Sequence, residues 1–149
     1  MSLQERISDD MKSAMKAGDA ARTGVLRLLT AALQNRAIEK RGTGQGAALS
    51  DEDAIAVCEK EVKKRREAAE LYTKGGRGDL AEQELREAGM LEAYLPPKAS
   101  DADIEAVIAH VARGGAADFS SLMKGAMQEL RGRADGRRVG ELVKKALGK

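Results

Sequence analysis

Apolar positions along this 149-residue chain recur every three to four residues, and each run is bounded by residues that start or stop helices. Leu3, Ile7, Met11, Ala14 and Met15 follow Ser2, which with Glu5 three residues on has the form of a capping box. Gly18-Asp19 ends that run and caps the next. The second stripe is Leu26, Leu29, Leu33 and Ala37, with Val25, Leu28 and Ala32 beside it. It runs to Lys40-Arg41, whose charge suits the negative end of a helix dipole. GTGQGAA, residues 42–48, then reads as a loop with three glycines.

Ser50 opens a third helix, with Asp51, Glu52 and Asp53 in the first turn, where the dipole favours acid. Ile55, Cys58, Val62, Ala69 and Tyr72 mark its buried side, and Lys74-Gly75-Gly76 closes it. Asp79 and Glu82 read as the cap pair of a fourth helix that buries Leu80, Leu85, Ala88, Leu91 and Leu95. Pro96-Pro97 stops it, because proline lacks the N–H that the ladder needs.

Three shorter helices follow. Ser100 and Asp103 cap one with Ile104, Val107, Ile108 and Val111; Asp118 caps one with Phe119, Leu122, Met123, Ala126, Met127 and Leu130. After a turn over residues 132–136, with Asp135 as a cap, the last carries Val139, Leu142, Val143, Ala146 and Leu147. No period-two strand pattern occurs. The chain is predicted to be all-α: an N-terminal four-helix unit over residues 1–95, then a small three-helix C-terminal unit over residues 98–149.

Composition supports the helices and removes several chemistries. Valine, isoleucine, threonine and the three aromatics (Tyr72, Tyr94, Phe119) total 19, against 26 alanines, so helices packed on small residues are favoured over a sheet. One cysteine (Cys58) and one histidine (His110) provide no disulfide framework and no Cys/His metal site. Catalysis of the Ser-His-Asp kind would rest on that one histidine alone. Cys58 lies at an apolar position and reads as core; His110 reads as a partly exposed helix side chain.

The acids at residues 9–10, 51–53, 79–84 and 101–103 fall mostly in first turns, where capping accounts for them. GTGQG and GGRGD lack the strand and the lysine of a phosphate loop, so no nucleotide cofactor and no metal are expected. The apolar stretch from Val25 to Leu33 is broken by Arg27 and too short for a bilayer. MSLQERISDD has no apolar segment of the secretory kind. A reducing cytoplasm follows as the expectation, with no membrane partner.

Charge adds one feature that the overall balance of +2 conceals. Residues 121–149 hold eight basic side chains against three acidic, +5, while the other 120 residues carry −3. LRGRADGRR sets a glycine-bounded turn directly before a helix N-terminus, where outward N–H groups flanked by Arg131, Arg133, Arg137 and Arg138 suit phosphate oxygens. Lys144 and Lys145, two turns on, could track a nucleic-acid backbone; Lys124 and Lys149 add to the cluster. With no aromatic nearby, and three aromatics spread over the chain too few for a base-stacking platform, recognition would be of backbone and shape rather than of unstacked bases.

Lys63, Lys64, Arg65 and Arg66 form a secondary basic cluster. Four successive residues encircle a helix, so at least one must lean across its buried side. Glu59–Lys63 and Glu61–Arg65 are i,i+4 pairs in the better orientation, and a salt-bridged helix face accounts for most of this run.

The runs LRLLTAALQNRAIE (26–39), LSDEDAI (49–55) and KEVKKRREAAELYTKGGRGDLAEQE (60–84), the junction LEAYLPP (91–97) and the terminal GRADGRRVGELVKKALG (132–148) together resemble the YqeY-like family. That resemblance implies a bacterial chain related to the C-terminal tail domain of one subunit of the glutamyl/aspartyl-tRNA amidotransferase, a helical appendage that contacts tRNA. It implies a non-catalytic module whose partner is tRNA or another structured RNA. A protein–protein adaptor for an amidotransferase or an aminoacyl-tRNA synthetase is the alternative. The resemblance also implies a family label of carbon–nitrogen ligase with glutamine as amido donor, for which the residues present no nucleophile and base.

Overall fold

The computed structural model describes residues 1–44 and 48–148, and among them are seven α-helices and no strand. They are α1 (Leu3–Ala17), α2 (Ala20–Gly42), α3 (Asp51–Lys74), α4 (Gly78–Glu92), α5 (Asp101–Arg113), α6 (Phe119–Glu129) and α7 (Gly136–Ala146). None of the described helices is long and apolar enough to cross a membrane. Part of the glycine loop expected over residues 42–48 lies outside the described residues.

Helix starts follow the local chemistry closely. Ser2, Ser50 and Ser100 each form a full capping box, with Glu5, Asp53 and Asp103 returning a hydrogen-bond acceptor to the serine N–H. Gly18, at φ 72°, ends α1 in the left-handed region that only glycine enters without strain, and Asp19 at once caps α2.

The fourth helix departs from expectation. It begins at Gly78 with Arg77 as an N-cap that makes no side-chain cap bond, because a guanidinium has no acceptor to offer; it donates instead to the Asp79 carboxylate, at 3.1 and 3.2 Å. Its buried row is Ala81, Ala88 and Leu91, while Leu85 is exposed. Tyr72 also sits outside the core, where the expected stripe of α3 had placed it inside. A helical period identifies the inner face of a helix but not how far its neighbours cover it.

The chain divides into two compact units, Met1–Leu95 and Pro96–Lys149. In the first, Ile7 of α1, Leu26, Leu29 and Leu33 of α2, Cys58 and Val62 of α3 and Leu91 of α4 share one core. Burial of each such leucine is worth about 1.5–3 kcal/mol. Tyr94 closes this core, its hydroxyl donating to Asp10 at 2.6 Å and its ring lying 4.9 Å under Arg6. At the other end Lys40 donates to Asp53 at 2.6 Å and to the Ala48 carbonyl at 3.1 Å, joining the end of α2 to the start of α3.

In the second unit Ile104 and Ile108 of α5, Leu122, Ala126 and Leu130 around α6, and Val139, Leu142 and Val143 of α7 meet in a separate core. Helices α5 and α6 approach closely because α6 offers Gly125: a Cβ there would stand 2.5 Å from Val111 Cγ1. The turn before α7 is bound to the segment before α5. Ala99 N–H donates to the Arg133 carbonyl at 2.7 Å, and Arg133 Nε donates to the Pro97 carbonyl at 3.2 Å.

Candidate nucleic-acid interface

Helix α7 buries Val139, Gly140, Leu142 and Val143 and turns Arg137, Arg138, Glu141, Lys144 and Lys145 outward. At 100° per residue the four cations separate into two rows, each with members seven residues apart. One row is Arg138 and Lys145. It faces Asp101 and Glu105, which lie four apart on α5. Arg138 donates through Nε to Asp101 at 3.0 Å and through Nη1 to Glu141 at 2.6 Å, and its Nη2 also meets Asp101. Lys145 lies 3.8 Å from Glu105. The arginine beside it holds the Asp101 carboxyl below the usual range, and the two carboxylates raise Arg138 further.

The second row is Arg137 and Lys144, both exposed, and no carboxylate of the described residues pairs with either. The one acid between the rows, Glu141, is already taken by Arg138. The helix N-terminus is taken too: the Asp135 carboxylate accepts the Arg137 N–H at 3.4 Å, so a phosphate there would compete with a carboxylate. Arg133 is turned inward to the Pro97 carbonyl and lies 3.9 Å from Asp103. Arg131 is exposed on the same turn. Lys149 lies outside the described residues. The structure thus brings Arg137 and Lys144 together on one open face, and places Arg133, Arg138 and Lys145 among acids of α5.

An aromatic also borders this face, which sequence distance concealed. Phe119, 18 positions before Arg137, keeps 41 % of its surface exposed. Its Cζ lies 3.9 Å from where a Cβ on Gly140 would stand. The signal available in the sequence was Gly140 itself, the one small residue on the stripe of α7 between Val139 and Val143.

The secondary cluster on α3 is built differently. Lys63 lies 4.0 Å from Glu67 and Lys64 lies 3.5 Å from Glu61. Arg66 meets Glu92 of α4. Arg65 is the member that crosses the buried side: its side chain is 7 % exposed and lies 3.0 Å from Glu61 and 3.6 Å from Glu87. Its Nη1 also donates to the Glu61 carbonyl, while Nε has no hydrogen-bond partner among the described residues. Arg65 lies at the base of an open groove of about 440 Å³ between α2, α3 and α4. Leu28, Ala31, Ala32 and Ala68 form its apolar wall and Glu61, Glu84 and Glu87 its acids.

The single cysteine and the single histidine lie in different units, one in the first unit's core and one on the surface of α5. Cys58 is fully buried and donates to the Leu91 carbonyl at 3.2 Å; burial pushes its thiol up to about 12. His110 is exposed on α5, 3.5 Å from Glu129 of α6.

Residues 4–147 match the model of a family described as Yqey-like protein. The chain is 30 % identical over 110 residues to the "Altered inheritance of mitochondria protein 41, mitochondrial" of Lachancea thermotolerans, covering 70 % of this chain and 55 % of that protein. It is 32 % identical over 90 residues to the protein of the same name in Eremothecium gossypii, covering 60 % and 46 %. The chain therefore spans about half the length of these two relatives. An uncharacterised protein of Schizosaccharomyces pombe is 32 % identical over 99 residues, covering 66 % of this chain and 73 % of that one.

Proposed function

This chain belongs to the YqeY-like protein family, and from that premise we propose that it is a non-catalytic tRNA- or RNA-binding module of the cytoplasm, linked to aminoacyl-tRNA metabolism. We read Met1–Leu95 as a four-helix domain and residues 98–149 as a three-helix domain, the part that resembles the amidotransferase tail. The observation that carries the reading is the row Arg137–Lys144: two exposed cations on one helix face that no acid among the described residues pairs with, beside a row whose cations are neutralised. Cations of this kind contribute to a polyanion contact because they give up only water and counterions on binding. Arg131 extends the face; Arg133, Arg138 and Lys145 hold α5 to α7 and shape it.

The test is binding of tRNA across a range of salt. Each phosphate contact adds about 0.7–0.9 to the slope of log K against log salt. Arg137→Ala with Lys144→Ala should lower the slope by about 1.5 and weaken binding at low salt. Arg138→Ala with Lys145→Ala should change it less. An unchanged slope in the first double variant would remove α7 from the interface.

A second reading, an adaptor for an amidotransferase or an aminoacyl-tRNA synthetase, is favoured by the groove beneath Leu28, with Leu28, Leu71 and Leu85 all exposed in the first unit. It predicts a specific protein retained after nuclease treatment and lost with Leu28→Glu. If recovery follows the RNA instead, the first reading stands alone.

A further inference from the structure

The open cationic row of α7 does not stand on bare helix. Between Arg137 and Lys144 lies Gly140, which is buried: the tip of the Phe119 ring and the Met123 sulfur each lie 3.9 Å from where a Cβ on it would stand. Side chains on a helix lean toward its N-terminus, so Lys144, four residues after Gly140, leans toward the turn that Phe119 covers. Arg137 lies on the same face one turn earlier. Phe119 opens α6 and keeps two fifths of its surface in water, a large fraction for a phenylalanine packed on a domain core. Its neighbour Asp118 keeps its charge but is held back at the start of α6, where its carboxylate accepts from the Ser121 N–H at 2.7 Å and the Ser121 hydroxyl at 2.6 Å.

We propose that Phe119 is a stacking residue for one unpaired RNA base, with Arg137 and Lys144 holding the phosphates on either side of it. The proposal rests on the RNA-binding reading above and sharpens it: the RNA segment that meets α7 is a loop or single strand, not a paired stem. The physical reason is that a lone aromatic flanked by cations offers a π-face to a base and charge to its backbone, whereas stacked, paired bases have no free face to present. Charge favours RNA over a protein here, since an apolar protein surface would have to desolvate two cations for which the described residues supply no acid.

The experiment uses the full chain and two RNA probes of equal phosphate number: a hairpin whose unpaired loop carries 2-aminopurine, and a blunt duplex. Wild type should bind the hairpin several-fold more tightly and change the 2-aminopurine fluorescence. Phe119→Ala and Phe119→Leu should each lose about tenfold in hairpin affinity, the size of one base–aromatic stack. Neither should change duplex affinity or the salt slope, and Phe119→Tyr should retain the hairpin preference. Leucine keeps the apolar contact with Gly140, so unaltered hairpin binding by Phe119→Leu would overturn stacking, and so would equal losses on both probes. Equal binding of both probes by wild type, with the salt dependence of a phosphate contact, would overturn this inference and leave the RNA reading intact. No binding to either probe would overturn both.

Discussion

The basic residues of α3 and those of α7 face different surroundings, although both runs are dense in sequence. On α3 the four cations point around the helix, and acids from α3 and α4 of the same unit meet each of them. On α7 the spacing is wider and the cations fall into two rows, of which α5 neutralises one. The density of positive charge along a sequence therefore says little about positive surface. The angle at which each residue leaves its helix decides whether it reaches an acid, lies against the core or faces water. Arg65 and Arg137 are the two extremes.

Removal of these cations should produce a graded series. The largest effect is expected at Arg65. Arg65→Ala leaves Glu61 and Glu87 without their shared cation in a largely buried place and should cost about 2–3 kcal/mol in chemical denaturation. A loss below about 0.5 kcal/mol would mean that the guanidinium is solvated, and the contrast with α7 would fail.

Next comes Lys40, whose ion pair with Asp53 is mostly shielded from water. The Lys40 hydrogen bond, helped by the Ser50 backbone, holds the Asp53 carboxyl at about 2, below its ordinary 3.8. A carboxyl lowered in the folded state stabilises the fold above its unfolded value and loses that contribution as pH falls through the folded one. Lys40→Met should therefore cost about 1–2 kcal/mol at neutral pH, and the gap from wild type should close between pH 3.8 and about 2. Melting curves across that range check the sign. A gap independent of pH would assign the cost to packing of the lysine stem.

Arg138→Ala breaks an exposed pair and should lower the melting temperature only slightly, with part of that loss removed by salt. Smallest of all, Arg137→Ala with Lys144→Ala should leave thermal stability within about 0.5 kcal/mol of wild type. A clear destabilisation by that pair would show that the open row has structural duties and would narrow its difference from α3.

Most of the helical frame was legible because its determinants are local. Ser2, Ser50 and Ser100 find their partners three residues away, and the apolar spacing selects the inner row of each helix. Leu85 and Tyr72 misled because a period identifies a face but not how far a neighbour covers it. The start of α4 misled because Arg77 competes with the backbone for Asp79. That at least one of four successive cations must cross the buried side followed from their succession; that it is Arg65 came from the structure. What no local pattern carried was the meeting of Asp101 with Arg138, 37 positions apart, or of Phe119 with Gly140. A window beginning at residue 121 isolates the cations of α7 from the acids of α5 that answer them, although both belong to one folded unit.

That long-range pairing has a consequence for the order in which the molecule is made. Asp101 emerges from the ribosome 37 residues before the arginine that meets it, about 2–7 s at ordinary translation speeds. During that interval Ile104 and Ile108 can meet α6 but not Val139, Leu142 or Val143, and Ala99 waits for the carbonyl of Arg133. The second unit is closed by its last helix. A message ending just before residue 136 would release a chain whose α5 carries bare acids and a half-covered apolar row, a form marked for proteolysis by the loss of one helix of 11 residues.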